Sequence, residues 1–271
     1  MIAETARKPD LLTLACIAII AYALAALLHE GVGHGGACLL TGCQPHLLTS
    51  MSFDGDASQL SRNATRLIAA GGSLVNLLTA CIGFGVLRRL STSRPAGWFF
   101  CWLLATISLL QATGYLLFSG LGGVGDWADV VSGLPGGQYW RVLLAVVGGI
   151  CYWLAVRYSM QWLAAHLSSS QPGHSREAYG YLMPAYFTGG ALGIIAGLLD
   201  PNAGAILLIS GMAASLGGTS GLLWGPQLMR DPAFAAAGTP LAPLRRHWSW
   251  VVAGALVAAA HVLLLGPGLR F

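Results

Sequence analysis

LLTLACIAIIAYALAALLHEGVGHGG, residues 11 to 36, opens with 18 uncharged residues and closes on a cluster of histidine, glutamate and glycine. The first part approaches the roughly 20 apolar residues that a membrane-crossing helix requires. It is longer than the h-region of about 7–15 residues in a secretory signal, and no A-x-A-like cleavage site follows it. The stretch therefore reads as a membrane helix that runs into a polar, ionisable end.

The rest of the chain agrees. Of 271 residues, 55% are hydrophobic and 9% are charged, against about 25% charged in soluble domains. Mean hydropathy is +0.67. Seven runs are long and apolar enough to span: roughly 11–40, 66–87, 97–119, 141–164, 181–199, 203–225 and 248–266. The expected fold is all-α, a polytopic transmembrane helix bundle of about seven spans (six to seven), forming a single integral membrane domain over 1–271. The segments between the runs, such as STSRP after Leu90, carry the breaker residues of helix connections. Glycines at helical spacing, Gly189, Gly193 and Gly197 and again Gly217 and Gly221, read as close helix packing through small residues.

Charge gives orientation. The net charge of +4 comes from scattered loop arginines, which suits a lipid bilayer and not nucleic acid. Arg7, Lys8, Arg88, Arg89, Arg94, Arg157, Arg176, Arg230, Arg245 and Arg246 fall in loops of one parity. Asp54, Asp56, Arg62, Arg66, Asp126, Asp129 and Asp200 fall in the other. The positive-inside rule then puts the N-terminus in the cytoplasm and the C-terminus outside, with a bacterial plasma membrane as the expected location. The six cysteines (Cys16, Cys38, Cys43, Cys81, Cys101, Cys151) form no C-x-x-C pair and read as small buried residues rather than disulfides. The NAT triplet at Asn63 to Thr65 reads as a chance sequon.

Glu30 lies inside the apolar sweep from Leu11 to Leu40, where an ionisable group is costly and points to function. Two histidines supply a reason: imidazoles bind zinc, and a neighbouring glutamate serves as general base. A polar helix end that happens to carry histidines is the plainer alternative. The spacing is unusual, because H-E-x-x-H puts its histidines four apart whereas His29 and His34 are five apart. On a regular α-helix that offset is about 500°, turning His34 roughly 140° from His29. A π-bulge restores a common face, and Gly31, Gly33, Gly35 and Gly36 make it cheaper. The H-E-x-x-G-H spacing resembles the zinc motif of the dipeptidyl-peptidase III family over these six residues, a soluble fold in which the same insertion still binds zinc.

A zinc site takes a third protein ligand. His46, His166, His174, His247, His261, Asp54, Asp56, Asp126 and Asp129 are the candidates. His29 and His34 sit toward the outer end of the first span, which removes His166, His174 and His247. Asp126 is favoured, in FSGLGGVGDWADVV, because flanking glycines let backbone approach closely. Asp129 shares a helix face with it.

LLHEGVGH (27–34), AAGGSLVNLL (69–78) and GLGGVGDWADVV (120–131) occur in an order that resembles the site-2-protease family of intramembrane zinc metalloproteases. That family pairs an H-E-x-x-H helix with a G-x-x-x-N-like element and a later Asp-Gly-type ligand segment. The chain departs from it in the extra motif residue and in G-D-W for Asp-Gly. The resemblance implies zinc held by His29, His34 and Asp126, with Glu30 as base. It implies that Asn76 lines the site and hydrogen-bonds substrate backbone or an oxyanion. It further implies a metalloprotease core over 11–135, additional transmembrane helices over 141–266, and a membrane protein or peptide as substrate. The alternative function is a non-proteolytic multi-pass membrane protein that binds or transports a metal ion.

Overall fold

Asp10 starts the first helix. Its carboxylate accepts from the Thr13 N–H at 2.9 Å and the Thr13 hydroxyl at 2.8 Å, the arrangement of an N-cap that satisfies a free donor of the first turn. The computed structural model describes residues 8–168, 173–201, 204, 213–234 and 238–271. Helix α1 runs over Leu11–Thr41, about 46 Å at 1.5 Å per residue, so it exceeds the roughly 30 Å apolar layer of a bilayer. It is α-helical over Leu11–Leu27, π-helical over Leu28–Gly35 and α-helical again over Gly36–Thr41. Gly42, at φ 84°, ends it in the left-handed region.

The further long helices are α2 (Arg62–Leu87), α3 (Pro95–Gly122), α5 (Gly137–Ala164), α6 (Gly173–Gly197) and α8 (Trp248–Leu265). Among the described residues there are also short helices α4 (Asp126–Val131) and α7 (Gly221–Leu228), a π-helical turn over Ala213–Gly217 and a 3-10 turn over Pro232–Phe234, and the protein is 72% helical. Five of these helices, α1, α2, α3, α5 and α8, are long and apolar enough to cross a membrane. They match the expected runs at 11–40, 66–87, 97–119, 141–164 and 248–266. The run at 181–199 lies in α6, which has the length of a span but carries polar residues in its first turns and does not reach the same apolarity. Most of the run at 203–225 lies outside the described residues.

Two expectations are corrected. The fold is not all-α, because strands β1 (Gln44–Leu48), β2 (Phe53–Asp56) and β3 (Leu269–Arg270) form an antiparallel sheet in the order β2-β1-β3. The segments are too short for a clear two-residue period, and Pro45 sits at a break in register, as prolines in sheets do. In addition, Cys38 and Cys43 are joined in a disulfide across the end of α1. Their separation of five residues spans the helix-ending turn at Gly42, which brings the two thiols together. Of the other cysteines, Cys16 is buried, Cys101 and Cys151 are partly buried, and Cys81 is exposed.

Hydrogen bonds sort the loops into two ends. Asp10 N–H donates to Leu244 O, Ala242 N–H to Thr92 O and Gly238 N–H to Ala165 O, which gathers the basic loops and residue 10 at one end. Thr49 Oγ1 donates to Asp200 at 2.6 Å and Phe271 N–H to His46 O at 3.1 Å, which gathers the sheet, Asp200 and residue 271 at the other. The core is dense in aromatics near the basic end, with Trp98, Phe99 and Trp102 fully enclosed. The glycine stripe of α6 packs as expected: a Cβ at Gly189 would collide with the Tyr22 ring, and one at Gly193 would stand 3.1 Å from Ser215 Cβ.

At the basic end the Arg246 guanidinium donates to Asp10 at 2.8 Å. That bond, with the Thr13 N–H, holds the Asp10 carboxyl at about 2, below its ordinary 3.8. A carboxyl depressed in the folded state stabilises above its unfolded pKa and loses this as pH falls through its folded value. The thermal midpoint is therefore expected to fall between pH 4 and pH 2 more steeply in wild type than in Asp10→Asn, measured in detergent micelles.

Candidate metal centre

The π-helical turn Leu28–Gly35 places His29 and His34, five residues apart, on one face of α1. Their Nε2 atoms lie 3.2 Å from each other and their rings meet edge to face at 4.8 Å between centroids. This turn forms where α1 crosses α2 backbone to backbone. A Cβ on Gly33 would lie 2.5 Å from Gly72 Cα, and a Cβ on Gly72 would lie 2.5 Å from His29 Nε2 and 2.6 Å from His34 Nε2. Only glycine at both positions allows that approach.

Second partners orient each ring. His34 Nδ1 lies 2.7 Å from Ile68 O; a carbonyl only accepts, so the proton sits on Nδ1 and the Nε2 lone pair is free. His29 Nδ1 lies 3.0 Å from the side-chain amide of the fully buried Asn76, whose Oδ1 has no hydrogen-bond partner. The two ends of an amide are interchangeable in assignment. Turning it together with the Gln111 amide, whose oxygen otherwise faces it at 3.3 Å, lets Asn76 Oδ1 accept both the Nδ1 proton of His29 and a Gln111 N–H, and frees the His29 Nε2 as well. Gln111 Oε1 lies 3.3 Å from the same amide, and the Tyr115 ring stacks on His29 at 4.9 Å. A ring nitrogen tied to a carbonyl behind it is the usual second-sphere support of a metal-binding imidazole.

Asp126 opens α4 directly after Gly125, which has φ 90°. Three contacts fix α4 against α2: Trp127 Nε1 donates to Ser73 Oγ at 3.1 Å, Arg66 to Ser132 O at 3.0 Å and Arg62 to Gly133 O at 3.5 Å. Asp126 Oδ2 is thereby set 3.3 Å from His29 Nε2 and 3.6 Å from His34 Nε2. It is buried and accepts no hydrogen bond. His29, His34 and Asp126 form a cluster that could hold a metal ion. A tetrahedral ion with ligand bonds of about 2.0–2.1 Å spaces neighbouring donors about 3.3–3.4 Å apart. The observed 3.2, 3.3 and 3.6 Å bracket that spacing, and the donor set is two imidazoles and a carboxylate.

Of the other candidates, Asp129 is exposed and outside the cluster. His46 lies in β1, and Asp54 and Asp56 in β2. His166 and His247 lie at the basic end, beside Leu241 and Thr13. Asp126→Asn is accordingly expected to weaken metal binding by at least the 10–100-fold or so seen for second-sphere changes. Asp129→Asn should leave it unchanged, both read by metal content after dialysis against graded chelator.

Glu30 is not one of the three donors. It is 7% exposed, with Oε1 3.9 Å from His29 Nε2. It faces a cavity of about 50 Å³ whose lining includes His29, Ser50, Gln111, Tyr115 and His261, room for a few waters. Asn76 does not line this cavity; it stands behind His29. Gly72, Gln111, Tyr115 and Trp127 join the site without having been singled out in the sequence. Gly72 carried a usable signal, since it lies one helical turn before Asn76 and hence on the same face. Comparison with protein families, characterised proteins and solved structures finds no match to this chain.

Proposed function

We propose that the chain is an intramembrane zinc metallopeptidase, a divergent relative of the site-2 proteases, that hydrolyses a peptide bond in or near the membrane. One observation carries the reading: two imidazole nitrogens and one carboxylate oxygen converge within 3.6 Å, with Glu30 beside them on a cavity that has room for a few waters. His29, His34 and Asp126 would hold the ion, which when bound supplies Lewis acidity toward a scissile carbonyl. Glu30 accepts a proton from the attacking water and returns it to the leaving amine. Asn76 and Ile68 O act through the histidines, keeping each Nε2 unprotonated and aimed.

Sidedness supports the same reading. The Cys38–Cys43 disulfide suits an oxidising compartment, and it sits at the end of the bundle that carries the sheet. The basic loops gather at the opposite end, as cytoplasmic loops do. We infer a multi-pass protein of about seven spans in a plasma membrane, N-terminus inside and site toward the outer side. A metal carrier would use the same three ligands without a base, whereas among the described residues the one cluster able to hold a metal has Glu30 next to it.

The test is cleavage of a fluorescent single-span leucine–alanine peptide with a central Asn-Gly pair by purified protein in bicelles. Chelator treatment is expected to abolish cleavage and stoichiometric zinc to restore it. Zinc uptake into vesicles without cleavage would instead establish the carrier.

A further inference from the structure

Two polar side chains on the cavity have no part in the chemistry above. His261 opens another π-helical turn, His261–Leu265, near the end of α8, and Ser50 lies in the turn between β1 and β2. They are 4% and 6% exposed. His261 Nδ1 and Ser50 Oγ are both buried without a hydrogen-bond partner. The two segments are tied together, since Ser50 N–H donates to Leu265 O at 2.8 Å. Both residues line the cavity that Glu30 and His29 also line.

A histidine inside an apolar span is costly and by default functional, and π-turns cluster at functional sites. A core histidine kept for packing would have its ring nitrogens satisfied. Here the spare hydrogen-bonding capacity belongs to two residues that line the cavity beside Glu30. Unwinding a substrate helix for cleavage frees a backbone N–H and C=O that lipid cannot satisfy. The site must offer a donor and an acceptor in exchange, and imidazole and hydroxyl each serve as either.

We propose that Ser50 and His261 form a backbone-binding subsite that hydrogen-bonds the N–H and C=O of the substrate residue unwound beside the scissile bond. This rests on the peptidase reading and adds the element that holds the substrate open.

The experiment measures binding of the same fluorescent leucine–alanine peptide to zinc-loaded Glu30→Gln protein in bicelles. Ser50→Ala and His261→Ala, each added to that background, are expected to raise Kd about 3–10-fold, the value of one hydrogen bond. His261→Gln, which also donates and accepts, should recover part of the loss. Peptides with single backbone esters near the centre lack one N–H each. On the ester that removes the partner group, one of the two substitutions should lose its effect, whereas damage to the fold would weaken every peptide alike. Unchanged Kd in both variants at full zinc loading overturns the subsite, as does failure of the Glu30→Gln protein to bind the peptide. Should His261→Ala not fold, Ser50→Ala and His261→Gln decide in the same way. Cleavage by the Glu30 protein without any effect of these substitutions on binding would leave the peptidase standing and the subsite refuted. The binding pattern without cleavage would do the reverse.

Discussion

Glu30→Gln is expected to lower the rate of peptide cleavage by about 10²–10⁴-fold, the usual contribution of a positioned general base, while zinc content stays at the wild-type level. The carboxylate is 3.9 Å from His29 Nε2 and is not among the converging donors, so exchanging it for an amide leaves the ligand set whole. Glutamine has nearly the same volume and keeps the packing of a side chain that is 7% exposed. It lacks only the capacity to take a proton. A buried carboxylate in a membrane helix is also a burden on stability, so the thermal midpoint of the variant should equal or exceed that of wild type. Loss of activity with a lowered midpoint or with lost zinc would mean structural damage rather than a missing base. Cleavage within tenfold of wild type would end Glu30's assignment.

Gly72→Ala is expected to remove zinc almost completely, an effect of about 100-fold or more in affinity and beyond the 10–100-fold range of second-sphere changes. The added Cβ would stand 2.5 Å from His29 Nε2 and 2.6 Å from His34 Nε2. Neither ring can retreat freely, because Ile68 O and the Asn76 amide hold the opposite nitrogens. Relief must come from moving α2 off α1, at the roughly 1–3 kcal/mol typical of overpacking. Gly36→Ala, in α1 two residues after His34, is the control, since a Cβ there meets nothing within 4 Å. It should keep zinc and stabilise α1 by up to about 1 kcal/mol. Mass spectrometry of the intact protein under non-denaturing conditions, with thermal unfolding, reads both variants. Full zinc in Gly72→Ala would show that the two histidines do not share an ion.

Much of this centre was legible because its parts leave marks in a linear sequence. A glutamate and two histidines at the end of an apolar run stand out by cost alone, and the five-residue spacing already required the π-turn seen over Leu28–Gly35. Asp126 could be chosen over the histidines of the basic end by loop parity, because helices of similar length return the chain to the same side. The closeness of Gly72 to both imidazoles could not be read, since it depends on how α1 and α2 cross. Asn76 is a related case: the family resemblance implied that it lines the site, but which side of His29 it occupies is a matter of helix rotation. The Cys38–Cys43 pair was hidden because Cys38 lies inside the apolar sweep that ends at Leu40, and nothing in composition shows that the chain turns back at Gly42. The sheet was missed because its third strand, Leu269–Arg270, has only two residues and is distant in sequence from the hairpin it joins.

That distance has a consequence in time. Strands β1 and β2 leave the ribosome early, whereas β3 is about 210 residues later, roughly 10–40 s at ordinary rates of synthesis. The cavity wall likewise waits for residue 261. During that interval the histidines and Glu30 are already in the membrane, but the enclosure around them is open and its edge strand unpaired. The nascent chain thus carries His29, His34 and Glu30 well before the cavity beside them is enclosed.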